Sequence, residues 1–191
     1  MKQQVADKRQ SILNSSLEII TEHGFHGSSM KIIAEKAGVA SGTVYLYFKS
    51  KDELINELFL EIRRRINDVV QNSFDEEEEY KKNFANVWHS LYDFYLNNLQ
   101  VFRFIEQYSS SPFIVETTKR KGEKILAPVY EILGMGIDQG YLKPMHSTAL
   151  LSLVYGPIVA LVRFHQTNEI NLNEDVLIDE IIESCWLGVK K

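Results

Sequence analysis

The sequence predicts an all-α chain, with an N-terminal three-helix helix-turn-helix domain followed by a larger C-terminal helical domain. Three observations carry the all-α class, and the motif around Gly38 described below carries the division. Only ten glycines and four prolines interrupt 191 residues rich in helix formers. No alternating apolar and polar run of useful length marks a strand. Apolar residues instead recur at helical spacing, first at Ile12, Leu13, Leu17 and Ile20 and last at Ile178, Ile182 and Trp186.

The net charge of −5 argues against a wholly basic nucleic-acid coat, but its distribution matters more. Residues 1–51 hold seven Lys/Arg against four Asp/Glu, and the remainder holds 14 against 22. A basic head on an acidic body suits a protein that offers one end to phosphate. The single cysteine, Cys185, allows no intramolecular disulfide and fits a reducing cytoplasm, where it reads as a small core or interface residue. The start MKQQVADKRQ lacks the apolar core of a signal peptide, so the expected location is cytoplasmic. Met145 to Val162 carries no Lys, Arg, Asp or Glu, yet it is short and holds Ser, Thr, His and Gly-Pro, so a buried helix is expected there and no membrane partner.

In chain order, the first helix runs from Asp7 to His23 and ends at Gly24. Ser28 or Ser29 caps a second, Gly38 supplies the turn, and a third spans Thr43 to Phe48. Too short to stand alone, the third helix must pack through Val44 and Phe48, leaving Thr43, Tyr45 and Tyr47 outward. Ser50 and Glu53 form a capping box that starts a fourth helix, striped by Leu54, Leu58, Ile62 and Val69.

The run G-V-x-x-G-T-x-Y-x-Y-F-x-x-K-x-x-L from Gly38 to Leu54, with Phe25, Ser29, Ile32, Ile33 and Ala34 upstream, resembles the DNA-binding domain of the TetR/AcrR family of transcriptional repressors. The resemblance implies that Ser29, Lys31, Ser41, Gly42, Thr43, Tyr45, Tyr47 and Lys51 meet a double-stranded DNA operator, the tyrosines and Lys51 at phosphates. It divides the chain into a DNA-binding domain, 1–50, and a domain for effector binding and dimerisation, 51–191. It further implies a homodimer on a pseudo-palindromic site, released by a small molecule whose signal passes through the fourth helix. Ala40 departs from the family's usual Ser or Thr, so the helix cap is expected to shift to Ser41, with weaker readout of one base pair.

Beyond the fourth helix, Arg63, Arg64 and Arg65 read as a solvated face rather than a DNA contact. Ser73 and Glu76 suggest a second capping box, with Asp75 to Glu79 as acid at a helix start rather than a metal site. From Phe84 to Phe113 the chain places nine of its 21 aromatics. One stripe cannot bury so many rings, and a second aromatic surface suggests a site for an apolar or aromatic effector, with Trp88, His89, Tyr92, Phe102, Tyr108 and Phe113 as candidates. Ser111-Pro112 opens a helix expected to run to Gln139 and close at Gly140.

Ser147 is expected to cap the next helix, and Asn173 to Val189 to form the last. Ser152, Gly156 and Ala160 recur every four residues, and Leu177, Ile181, Ser184 and Gly188 share one side of the final helix. These seven are the candidate dimer contacts, because the family packs its last two helices into a four-helix bundle with a partner. An alternative keeps DNA binding but gives the helical body a protein partner in place of the small molecule. Catalysis is not expected: no phosphate loop, metal-spaced His/Cys cluster or nucleophile and base pair stands in the sequence, and no cofactor is implied.

Overall fold

The computed structural model describes the backbone of residues 2–167 and 175–191 and the side chains of 7–167 and 177–191. Among them are ten helices, α1 (Lys2–Gly27), α2 (Met30–Lys36), α3 (Ser41–Tyr47), α4 (Lys51–Ser73), α5 (Tyr80–Asn97), α6 (Leu99–Tyr108), α7 (Glu116–Ile125), α8 (Ala127–Asp138), α9 (Ser147–Gln166) and α10 (Asp175–Val189). The expected all-α class holds, with one isolated antiparallel bridge between Leu142 and Lys190. The expected start of the last helix at Asn173 lies outside the described residues.

The chain forms two compact units. The first takes residues up to 64 together with 98–125, so that α6 and α7 accompany the three N-terminal helices and the start of α4. Its core is built on α1: Ile12, Leu13, Leu17 and Ile20 are buried with Ile33, Ala34, Val44, Phe48, Leu54 and Leu58. α1 packs against both α2 and α6. The second unit takes residues 65–97 and 126–191. Tyr80, Leu133, Leu142, Leu150, Trp186 and Val189 form its central cluster, flanked by Phe84, Met135, Ile137, Leu151 and Val154.

Local chemistry sets the boundaries. α1 extends through Gly27, and Gly24, expected to end it, breaks it from within at φ 70° and ψ 174°. At Gly38, φ 67°, the N–H donates to Glu35 O at 3.2 Å and that of Val39 to Ala34 O at 3.0 Å. This reciprocal pair closes α2 in a left-handed turn that glycine adopts at least cost. Gly140 ends α8 in the same way. Ser50 Oγ accepts from Glu53 N–H at 3.1 Å, and Glu53 Oε2 accepts from Lys49 N–H at 2.7 Å, so the expected box forms with its return bond one residue upstream. Replacing Ser50 by Ala is expected to cost about 0.5–2 kcal/mol, read as a lowered thermal midpoint.

Four expected boundaries are corrected. The cap of α3 does not shift to Ser41: Ala40 is the N-cap and supplies no side-chain bond. Ser73 starts no helix, because it lies in the last turn of α4 and its hydroxyl donates back to Val69 O at 2.7 Å. The acidic run that follows is a turn, held by Asn83, whose amide accepts from Asp75 N–H at 2.8 Å and donates to Asp75 O at 2.6 Å. The helix expected from Ser111 to Gln139 does not start at Ser111-Pro112, which lie in a turn, but at Glu116, and it is two helices parted at Leu126, since Pro128 has no N–H to continue the ladder and its ring crowds the carbonyl four residues back. α9 is capped by His146, whose Nδ1 accepts from Thr148 N–H at 3.3 Å, rather than by Ser147.

α9 also departs from the buried helix expected of it. Leu150, Ile158, Leu161 and Val162 are buried, but most of the helix is not, and Leu153 and Phe164 are exposed. By length and composition alone this helix could cross a membrane. An apolar face left bare on a chain of this kind calls for another surface to cover it.

Candidate nucleic-acid interface and apolar cavity

Within the first unit, α3 rests on the core through Val44 and Phe48, both essentially inaccessible. That anchoring turns the rest of the helix outward. Ser41 and Gly42 are exposed, Thr43 and Tyr47 half-buried, and Tyr45 is 54% exposed. A Cβ added at Gly42 would meet nothing within 4 Å, so the first turn of α3 is bare backbone open to close approach. Leu46, not among the candidates, is 85% exposed on the same short helix. Its position between the two tyrosines was the available signal, and an apolar residue there was passed over.

Across the turn, Ser29 caps α2 by accepting from Ile32 N–H at 3.2 Å, and Lys31 stands exposed one turn in, 3.9 Å from Glu35. Lys51 is more deeply engaged. Its Nζ donates to Phe25 O at 2.7 Å and Ser28 O at 2.8 Å, and lies 4.1 Å from the centre of the Phe25 ring. It therefore ties the end of α1 to the start of α2 and holds a positive charge beside that start. Arg9 is paired with Glu57 at 2.7 Å and Lys36 with Glu18 at 2.6 Å, which removes two basic side chains from the head's available charge.

Phe25 is also one end of an aromatic row. It stacks on Phe113 at 3.8 Å, Phe113 lies 6.2 Å from Tyr108, and Tyr108 stacks on Phe104 at 4.9 Å. Asn56 of α4 fixes this turn from the other side, donating to Phe113 O at 2.9 Å and accepting from Val115 N–H at 3.1 Å. The turn between α6 and α7 is thus fastened to the end of α1 and to α4.

The second unit holds an apolar cavity of about 70 Å³. Val70, Phe74, Phe84, Trp88, Val129, Ile132, Leu133, Leu151, Val154, Tyr155 and Ile158 line it, with Tyr80, Asn83, Val87 and Leu91. The polar groups in that wall are already committed. Tyr80 donates to Ile132 O at 3.0 Å, Trp88 Nε1 to Val154 O at 3.2 Å, and the hydroxyls of Tyr155 and Tyr95 meet at 2.9 Å. Burial pushes the Tyr80 phenol up to about 12, so it stays neutral. A cavity so lined takes an apolar group.

Of the six candidate effector residues, Trp88 lines this cavity and Tyr92 packs on Trp88 at 5.6 Å, its buried hydroxyl without a partner among the described residues and its pKa raised by burial to about 12. His89 faces an open polar cleft and pairs with Asp179 at 3.0 Å. Phe102, Tyr108 and Phe113 belong to the first unit and are not in the cavity wall. The walls missed in the sequence come from α8 and α9, and for α9 its charge-free run was the visible signal.

Of the candidate dimer contacts, Ser152, Gly156, Ser184 and Gly188 are exposed and Ala160, Leu177 and Ile181 half-buried. Cβ atoms added at Gly156 or Gly188 would meet nothing within 4 Å, so packing inside the chain does not require glycine there. Ser152 and Ser184 turn their hydroxyls back onto Ala149 O and Glu180 O, leaving a smooth apolar face beside exposed Leu153, Phe164 and Leu187. Cys185 is half-buried and its thiol pKa is raised by burial, so it is not a ready thiolate.

Comparison with known proteins gives a consistent picture. Residues 12–58 match the bacterial regulatory proteins of the tetR family, and residues 59–191 match the tetracyclin repressor-like C-terminal domain. The chain is 29% identical to an HTH-type transcriptional regulator of Haemophilus influenzae, over 100% of both chains. A TetR family transcription regulator from Marinobacter aquaeolei has the same fold at a TM-score of 0.92 and 24% identity, over 100% of both chains. FadR from Bacillus subtilis, solved in complex with stearoyl-CoA, has a TM-score of 0.75 and 23% identity, covering 94% of this chain and 98% of its own.

Proposed function

The chain belongs to the TetR family of bacterial transcriptional regulators, and from that premise we infer that it is a ligand-released repressor acting as a homodimer on a pseudo-palindromic operator. The family regulates transcription and is not one of enzymes. The observation that carries the reading is α3: a seven-residue helix anchored by Val44 and Phe48, with Thr43, Tyr45 and Leu46 turned out and glycine at its first turn. That face suits the major groove, where Thr43 and Leu46 can meet thymine methyls and Tyr45 and Tyr47 can reach phosphates. Ser29, Lys31, Ser41 and Gly42 flank it, and Lys51 adds charge at the start of α2.

In this reading residues 1–50 bind DNA and 51–191 bind the effector and the partner subunit, in the cytoplasm. The two-fold axis sets the recognition helices about 34 Å apart on the operator. The apolar cavity supports a small, uncharged effector moiety, and the stearoyl-CoA held by the Bacillus subtilis neighbour makes an acyl chain one chemistry to try. The turn fastened by Phe113 and Asn56 offers a handle on the head, since its displacement acts on Phe25 and through it on Lys51. A coupling of roughly 1–3 kcal/mol between effector and operator would change DNA affinity about 5- to 150-fold.

A gel shift of the full chain on the DNA upstream of its own gene, with and without an extract of cell lipids and metabolites, tests the reading. Retardation that the extract reverses is the expected result. A shift that no extract relieves would favour a regulator controlled by a protein partner, and no shift on any fragment would dismiss the operator. For the dimer, Gly156→Leu is expected to turn a sedimenting dimer into monomer or to lower its thermal midpoint, because the open face beside Ser152 and Ala160 would no longer admit a second helix. A variant unchanged in both removes Gly156 from the interface.

A further inference from the structure

We propose that the open polar cleft beside the apolar cavity is a head-group subsite, that the effector is an amphiphile with an uncharged hydroxyl or amide head, and that Phe74 separates head from tail. The proposal deepens the effector reading above and rests on it. The cleft, about 400 Å³, is lined by Asn72, Asp75, Asn86, His89 and Ser90, with Phe74 as a common wall, because the same ring also lines the cavity. Apolar volume and polar volume thus meet at one half-buried side chain of the turn between α4 and α5. A molecule with an apolar end and a polar end fits that juxtaposition.

The backbone beside Phe74 is fixed. Asn83, 2% exposed and itself in the cavity wall, holds both the N–H and the carbonyl of Asp75. The ring can therefore open the passage by rotating its side chain while the turn stays in place.

Charge selects the head. Asp75 is the one carboxylate in the lining, and its Oδ1 accepts from Glu77 N–H at 3.0 Å. Four further carboxylates, Glu76, Glu77, Glu78 and Glu79, follow it directly on the turn. His89 is held by Asp179 at 3.0 Å, Lys81 by Glu183 at 2.8 Å, and Lys82 by Glu78. No uncommitted cation among the described residues lines the cleft, so a carboxylate or phosphate head would be repelled and would shed its water without return. The side chains of Asn72, Asn86 and Ser90 make no hydrogen bond to another described residue, and offer donors and acceptors of the neutral kind. Asp75 in the lining already accepts from Glu77 N–H and Glu78 is paired with Lys82, so a cationic head finds the lining carboxylate engaged and must shed its own water against neutral groups.

The test is calorimetric titration of the full chain with octan-1-ol, octanoate and octylammonium, alongside cyclohexane as a headless probe and tryptophan emission as a reporter of Trp88. Octan-1-ol is expected to bind about ten-fold more tightly than either charged probe, because a charged head sheds its water without a free partner of opposite charge in the lining. Asn86→Ala with Ser90→Ala, both on the outer side of α5, is expected to weaken octan-1-ol about three- to ten-fold while cyclohexane binds as before and the charged probes stay weak. Phe74→Ala is expected to speed association and dissociation of octan-1-ol about ten-fold or more in stopped flow. Equal affinity for the three heads, or preference for a charged one, overturns the head-group subsite and leaves the apolar effector cavity standing. Failure of every probe to bind, cyclohexane included, overturns the cavity as an effector site and the subsite with it.

Discussion

Tyr45→Ala is expected to lower operator affinity by about 100-fold or more while leaving the fold and the dimer intact. The expectation combines exposure with symmetry. Tyr45 is 54% exposed on α3 and makes no hydrogen bond, ion pair or ring contact with another described residue, whereas its neighbours Val44 and Phe48 are sealed in the core. A hydrogen bond from a phenol to a phosphate is worth roughly 1.5–3 kcal/mol, and a two-fold complex loses it twice. Each 1.4 kcal/mol is about a ten-fold change, so the doubled loss exceeds 100-fold at the middle of that range. Gel shift and circular dichroism on the same preparation check both halves. Affinity within about two-fold of the parent would show that α3 docks by another face. The partner experiment, Lys31→Ala, is expected to be milder and to flatten the salt slope by about one unit per subunit if that lysine neutralises a phosphate.

How far the chain could be read in advance depended on the range over which its chemistry acts. The stretch from Ser28 to Leu54 is short-range: glycine in a left-handed turn, a serine cap, two apolar anchors on a seven-residue helix. Each is set by residues a few positions apart, and Gly38, Ser50, Val44 and Phe48 all behave as their spacing requires. The break at Leu126 was equally legible, because Pro128 stood in the sequence and a helix through it was expected nonetheless.

The aromatic segment was a different problem. Periodicity tells that a ring is buried, not what it is buried against. Phe113 stacks on Phe25, 88 positions away in the chain, and no spacing rule contains that pairing. Lys51 has the same lesson at the motif level. Its position was recognisable, but its amino group reaches two carbonyls at the junction of α1 and α2, a contact that depends on where α4 begins in space. The cavity wall from α8 and α9 was obscured for a further reason: a run apolar enough to resemble a membrane span gives no hint which of its faces meets a hollow, a neighbouring helix or a second subunit.

Gly136→Ala, at a position the sequence did not single out, is expected to destabilise the second unit by about 2–6 kcal/mol. A Cβ at Gly136 would lie 2.8 Å from Leu142 Cδ1 and closer still to the Tyr80 hydroxyl and the ring carbon that bears it. Tyr80 cannot step aside freely. Its hydroxyl donates to Ile132 O at 3.0 Å, and its ring stacks on Tyr141 at 5.0 Å and packs on Trp186 at 6.3 Å. Overpacking at such a site costs about 1–3 kcal/mol, and a broken bond that leaves a buried group unpaired adds about 1–3 kcal/mol. For a chain of this length that corresponds to a fall of roughly 4–24 °C in thermal midpoint. Gly134→Ala on the same helix is the control, since a Cβ there meets nothing within 4 Å and replaces glycine inside a helix, which is neutral to slightly stabilising. A melt in which both variants match the parent would mean that Tyr80 has a second resting place. Because Tyr80 and Leu133 both line the apolar cavity, the displaced ring of a destabilised Gly136→Ala protein also narrows or reshapes it, and its affinity for octan-1-ol should fall in parallel with its stability.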